Sequence, residues 1–180
     1  MEFIEGYEVP SRTTRYSNKT NPNESTKGSD VIAFKFTNSP NPNLRDELAI
    51  FEAKTKFKGK TAETKNRVTR ERLQIAIDDS TKDRLRIATS LNAMKQKFLN
   101  QNDKNAVARV ERFQNEADNP YKTINGAVAL VCNSNYSDAI ATTADARNHP
   151  NNPNLRLIII KGRDMMALGH ALYRRAADEA

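Results

Sequence analysis

The sequence lacks several features that would identify a class of protein at once. Cys132 is its one cysteine, so the chain can form neither an intrachain disulfide nor a zinc site built from cysteines. No run of about 18 uncharged apolar residues occurs, so we expect no membrane-spanning helix. The first ten residues carry acids instead of a basic segment followed by an apolar stretch, which indicates no secretion signal. We therefore expect a cytoplasmic protein.

The sequence also contains no pattern typical of a nucleotide-binding site or a zinc site. The 6 glycines form neither a Gly-x-Gly-x-x-Gly nor a Walker pattern, which disfavours nucleotide hydrolysis. The 2 histidines, His149 and His170, have no partner at the spacing of metal ligands. Cys132 lies within an apolar run, which is typical of a small buried residue and disfavours a Cys–His hydrolase.

Charge is the strongest compositional signal in the chain. The formal net charge is +7 and the isoelectric point is near 9.6, which favours a polyanionic partner, nucleic acid first. From Lys54 to Arg72 there are eight basic residues and two acids. This stretch could be a solvated loop and helix face, or it could hold a phosphate backbone, DNA or RNA, without reading the bases. The candidates for such contacts are Lys56, Lys58, Lys60, Lys65, Arg67 and Arg70.

The order of apolar patterns predicts an α/β fold. Apolar segments at 30–36 and 47–54, joined by a proline-rich loop, predict two strands paired as an antiparallel hairpin. A helical block follows, with a new helix capped by Ser80 or Thr81. Strand patterns at 126–132 and 155–162, each followed by a helix pattern, then run to the end of the chain, as in a parallel βαβ unit.

We therefore predict a mixed central sheet, an antiparallel hairpin followed by βαβα, flanked by helices. The prediction is one domain over 1–180. Its parts are a loosely ordered segment at 1–27, the hairpin at 28–54, the helical block at 66–118 and the βαβα part at 125–180.

Three charged residues stand in the two hairpin strands. Asp30 begins the first strand, and Glu52 and Lys54 end the second, although a charge within an apolar strand is costly. Glu52 and Lys54 share one face, since side chains alternate along a strand. Two neighbouring carboxylates repel unless a cation binds, and magnesium prefers such oxygen ligands. Such an ion activates water for phosphodiester cleavage, and Lys54 could orient that water.

A second acid-x-Lys triplet in the chain serves as an internal comparison. Glu63-Thr-Lys65 has the same spacing as Glu52-Ala-Lys54, but it lies in a polar segment with no strand around it. The strand context therefore carries the inference, since the spacing alone is expected by chance.

Asp30 followed by Glu52-Ala53-Lys54 resembles the PD-(D/E)xK superfamily of restriction-endonuclease-like nucleases. The resemblance implies that Asp30 and Glu52 bind Mg2+, for which Mn2+ can substitute, and that Ala53 adds its backbone carbonyl. It implies that Lys54 assists the attacking water. Some branches use a glutamine on the following helix, and Gln74 is either that residue or an ordinary surface residue. The family's proline before Asp30 is missing, and no N-terminal helix offers a further carboxylate.

The run from "GSDVIAFKF" through "IFEAK" to "LIIIKG" resembles HamA, the nuclease subunit of the Hachiman anti-phage system. This resemblance implies DNA as substrate, a role in anti-phage defence and a helicase subunit as partner. The alternative is a catalytically silent nucleic-acid-binding or assembly subunit. In that case Asp30, Glu52 and Lys54 form an ordinary cross-strand ion pair with an accompanying acid.

Overall fold

The structure, a computed structural model, describes residues 6–9, 30–37, 41–57, 62–141 and 143–178. Within its helices, the side chains of 62–69, 83–85, 140–141 and 176–177 lie outside this description. The segment 1–27, for which we expected loose order, falls largely outside it as well.

Four strands of the described chain form one sheet in the order β1-β2-β3-β4, antiparallel between β1 and β2 and then parallel. The strands are β1 (Val31–Lys35), β2 (Glu47–Lys56), β3 (Lys122–Cys132) and β4 (Leu155–Gly162). The α-helices are α1 (Ala62–Asn100), α2 (Lys104–Glu111), α3 (Asp138–Ala141) and α4 (Met165–Asp178). The predicted mixed α/β fold is confirmed. In the described ranges, no helix is both long and apolar enough to cross a membrane.

The predicted hairpin forms between β1 and β2. Its antiparallel register runs from Val31 opposite Phe51 to Lys35 opposite Glu47. The β-branched and aromatic residues of β1 suit this pairing, because they pack well on a pleated surface. Beyond β1, Glu8 forms an isolated antiparallel bridge with Phe34.

The predicted helix boundary at Ser80 or Thr81 is wrong. One helix of 39 residues, α1, runs through both positions, and Ser80 is fully buried within it. Serine favours helix starts only because its side chain can bond nearby backbone, and burial of apolar residues along a helix overrides that preference. The helix ends at Asn100, and Asn102 in the turn that follows has a φ of 56°. Asp103 caps α2 by accepting from the Ala106 amide at 2.9 Å.

The described structure separates into two compact units, of which the first comprises Met1–Glu52 and Ser80–Gly126. One face of its hairpin packs against α1 and α2, and the ring of Phe34 stacks on that of Phe113 at 4.7 Å. This core is formed by Ile32, Phe34, Leu48, Ile50, Leu91, Met94, Phe98, Val107, Val110 and Phe113. The opposite face carries Ala33 and Ala49, which pack with Ile124.

The second unit comprises Ala53–Asp79 and Ala127–Ala180. Its core joins α1 to β3 and is formed by Leu73, Ala76, Ile77, Ala127 and Ala129. The small residues Ala127 and Ala129 of β3 pack in this cluster with residues of α1. Nothing in the two units tests the prediction of one domain over 1–180, which stays a prediction.

Candidate functional site

The two acids of the hairpin lie next to each other on neighbouring strands. Val31 is paired with Phe51, and Asp30 and Glu52 each lie one residue beyond that pair. The Asp30 amide donates to the Phe51 carbonyl at 3.1 Å, which holds the start of β1 against this part of β2. The tertiary structure therefore brings together two residues that are far apart in the sequence.

Burial distinguishes these two acids. Asp30 is exposed, whereas Glu52 is 7% exposed and follows Leu48 and Ile50 on the inner face of β2. A carboxylate loses hydration when it is buried and needs a compensating hydrogen bond, ion pair or metal ion. Glu52 is therefore the acid of the pair whose ionised form depends most on a bound cation or another partner.

Lys54 forms an ion pair that the sequence did not indicate. Its Nζ lies 2.8 Å from Oδ2 of Asp79 on α1, and the two side chains are 24% and 27% exposed. Asp79 follows the buried Ala76 by three residues, so it lies beside the apolar stripe that packs α1 onto β3. That periodicity is the sequence signal that could have indicated Asp79.

Gln74 is bound to the loop after α3. Its Nε2 donates to Oδ1 of Asp78 at 3.0 Å and to the Asp145 carbonyl at 3.1 Å. Its Oε1 accepts from the Asp145 amide at 2.9 Å. Both ends of the side-chain amide are thus engaged with Asp145, which is a structural role. The catalytic role of Gln74 stays a prediction.

The loop that Gln74 holds carries its own ion pair. Asp145 accepts two hydrogen bonds from the Arg147 guanidinium, at 3.0 and 2.8 Å. These bonds lower the pKa of Asp145 to about 2. The carboxylate of Asp145 is therefore ionised at neutral pH and bound within its own loop.

The basic stretch is described only in part. Lys56 is half-buried at the end of β2, and Arg70 is exposed on α1. Lys58 and Lys60 lie outside the described residues, as do the side chains of Lys65 and Arg67. Their contacts with nucleic acid stay predictions.

The donor set in the hairpin fits a hard cation. Two carboxylates with a backbone carbonyl and water are the ligands that Mg2+ takes in enzymes acting on phosphates, whereas zinc favours nitrogen and sulfur. Within the described residues, no three His, Cys, Asp or Glu side chains form a group that could hold a metal ion. The binding of Mg2+ by Asp30, Glu52 and the Ala53 carbonyl stays a prediction.

His149 and Cys132, which the sequence disfavours as metal or catalytic residues, are both buried in the fold. His149 is 5% exposed, and its Nδ1 accepts from the Asn151 amide at 3.1 Å. Burial lowers the pKa of His149, which favours the neutral ring. Cys132 is buried at the end of β3.

These features define a mixed α/β protein with a pair of acids at the open end of its antiparallel hairpin. The HamA family model matches residues 1–176, and the chain belongs to that family. HamA proteins are part of the Hachiman defence system, which includes a helicase. The resemblance to HamA is thereby confirmed, and membership of the PD-(D/E)xK superfamily stays a prediction. Comparison with curated proteins and with solved structures found no match.

Proposed function

We propose that this HamA protein is a magnesium-dependent endonuclease that cleaves DNA in anti-phage defence. The observation that carries the proposal is the hairpin register, by which Asp30, directly before β1, lies next to Glu52 on β2. Asp30 and Glu52 are far apart in the sequence, and the pairing of β1 with β2 is what brings them together. The PD-(D/E)xK pattern, which includes Lys54 two residues after Glu52, agrees with that register.

Each residue of the pattern has a separate task. Asp30 and Glu52 would hold the ion through their carboxylates, and Ala53 would contribute its backbone carbonyl. The chemistry that bound Mg2+ would supply here is polarisation of the phosphate and a lower pKa of water. Lys54 follows Glu52 on the same face of β2, since side chains alternate along a strand. Its ammonium orients the attacking water and offsets negative charge that develops on the phosphate.

The reaction is the hydrolysis of a phosphodiester bond. The water oxygen bonds to phosphorus, and the bond between phosphorus and one sugar oxygen breaks. The attacking water releases a proton to solvent, and the leaving oxygen takes up a proton. The basic residues Lys56 and Arg70, with the others of that stretch, hold the DNA backbone without reading its sequence. The helicase of the system would deliver DNA to the site.

A catalytically silent binding or assembly subunit is the second candidate. It is favoured by the ion pair between Lys54 and Asp79, because a lysine already paired with a carboxylate can have a purely structural role. The two candidates differ in what Asp30 and Glu52 do. Only the nuclease needs both carboxylates to bind a metal ion.

Cleavage of plasmid DNA by the purified chain tests the proposal, in parallel arms with and without the partner helicase. Cleavage should require Mg2+ or Mn2+ and stop with EDTA. Glu52→Ala and Lys54→Ala should each abolish it, and Asp30→Asn should lower it strongly. Glu63→Ala, from the triplet with the same spacing, is the matched control and should cleave as the wild type does. All variants are compared at equal thermal stability.

Two results would contradict the nuclease. The first is unchanged cleavage in Glu52→Ala or in Lys54→Ala. The second is no cleavage in either arm, together with calorimetry that finds the same binding of Mn2+ to the wild type and to Glu52→Ala. That second result would favour the silent subunit.

A further inference from the structure

The ion pair between Lys54 and Asp79 joins β2 to α1. Both residues belong to the second compact unit, and 2.8 Å separates the Lys54 Nζ from Oδ2 of Asp79. About a quarter of each side chain is exposed. The pair is therefore partly shielded from solvent, and its geometry is set by a strand and a long helix.

Lysine needs such a partner if its charge is to occupy one place. Its ammonium sits on a flexible four-carbon stem that loses much rotamer freedom when it is fixed. A carboxylate on a regular helix binds the ammonium in one of the many positions that the flexible lysine side chain can reach. Reacting groups need to be held within about half an ångström of their productive geometry, so this selection matters for catalysis.

The adjacent acid on α1 offers an internal comparison for this pairing. Asp78 is exposed, and its Oδ1 accepts from the Gln74 amide at 3.0 Å. Asp78 and Asp79 thus carry the same charge at neighbouring positions of one helix, yet they bind different partners. Asp78 therefore serves as a matched comparison for Asp79.

We infer that Asp79 is a positioning residue, which holds the Lys54 ammonium at the place where it acts on the attacking water. This inference rests on the proposed nuclease function. Asp79 itself touches neither the substrate nor the metal ion in this proposal and acts through Lys54. Loss of its carboxylate should therefore reduce the rate of the chemical step and leave DNA binding intact.

Steady-state kinetics of DNA cleavage with four variants test the inference. Asp79→Asn and Asp79→Ala should each lower kcat by about tenfold or more, while KM for DNA stays within about twofold of wild type. Asp79→Glu keeps the carboxylate and should recover most of the lost kcat. Asp78→Asn removes the same charge one residue away, and its kcat should equal that of the wild type.

Other outcomes overturn the inference. These are an unchanged or raised kcat in Asp79→Asn, an equal loss in Asp78→Asn, or no recovery in Asp79→Glu. If Glu52→Ala and Lys54→Ala lose cleavage while Asp79→Asn keeps it, the positioning role fails and the nuclease stands. If Glu52→Ala also cleaves normally, the nuclease proposal itself fails.

Crystal structures of the wild type and of Asp79→Asn give a readout that does not depend on activity. The Lys54 Nζ should sit at the Asp79 carboxylate in the wild type and should leave that position in the variant. An Nζ at the same place in both structures would overturn the positioning role.

Discussion

Arg112, directly after α2, binds the fully buried carboxylate of Asp46 through two of its nitrogens. Its Nε lies 2.7 Å and its Nη2 2.6 Å from Oδ2 of Asp46. Asp46 also accepts from the amides of Thr37 at 2.9 Å and Asn43 at 3.1 Å. One buried acid thus joins the loop between β1 and β2 to the C-terminal end of α2, through an arginine 66 residues further along the chain.

Removal of Arg112 should destabilise the protein strongly. In Arg112→Met, the buried Asp46 carboxylate loses its compensating charge, which costs about 3–5 kcal/mol in free energy of unfolding. Urea denaturation followed by circular dichroism measures this loss. The control is Glu111→Gln, which breaks the more exposed ion pair with Lys95 and should change the free energy by less than about 1 kcal/mol. Equal effects of the two changes would contradict the role assigned to Asp46.

Asp46 should also make the fold sensitive to acid. Burial raises its pKa, but the hydrogen bonds from Thr37, Asn43 and Arg112 outweigh burial and hold the pKa below the ordinary value of 3.8. A carboxyl with a lower pKa in the folded state contributes stability above about pH 4, and that stability is lost as the pH falls through the folded pKa. Urea midpoints between pH 2.5 and about 5 should therefore drop less steeply in Asp46→Asn than in the wild type.

His149 should add a second pH dependence at a higher pH. Because burial lowers its pKa, the folded state favours the neutral ring, and stability declines as the pH falls from the unfolded value of about 6.5. His149→Asn keeps an acceptor near the Asn151 amide and should flatten the stability profile between about pH 7 and 5. His170→Asn, at an exposed position of α4, serves as the control substitution. A wild-type profile in both variants would contradict this assignment.

Gly126 on β3 leaves the space that the Phe51 ring occupies. A Cβ at position 126 would overlap the Phe51 side chain, so Gly126→Ala should lower the free energy of unfolding by about 1–3 kcal/mol. Phe51→Leu frees part of this space, so the double variant should lose less stability than the sum of the single changes. Thermal and urea unfolding of the four proteins measure this coupling. Strict additivity would show that the two residues are not in contact.

Substitution of Gln74 distinguishes a structural role of this side chain from a catalytic one. Gln74→Ala removes both hydrogen bonds to the Asp145 backbone, so the Asp145 amide should exchange with deuterium faster. Under the structural role, kcat for DNA cleavage should stay within about twofold of the wild type. A large loss of kcat with unchanged exchange would instead support the catalytic prediction. Arg147→Ala, which breaks only the exposed ion pair with Asp145, serves as the control for exchange.

The positions of most strands could be predicted from local sequence patterns. The predicted 155–162 coincides with β4 (Leu155–Gly162), because a long β-branched and apolar run between turn residues leaves few alternatives. For β3 the apolar run began at 126, yet the strand starts at Lys122, since polar residues at its start are also paired in the sheet. The predicted helix cap at Ser80 is wrong, because packing along α1 overrides the local preference of serine for the start of a helix.

The sequence by itself determined the α/β class, the hairpin and the candidacy of Asp30, Glu52 and Lys54, since periodicity and charge are local properties. Only the tertiary structure decided which side chains meet. Asp79 binds Lys54, Gln74 binds the backbone of Asp145, and Arg112 binds Asp46. These pairs depend on how one element packs against another, and a short polar contact between distant residues leaves no periodic trace in the chain.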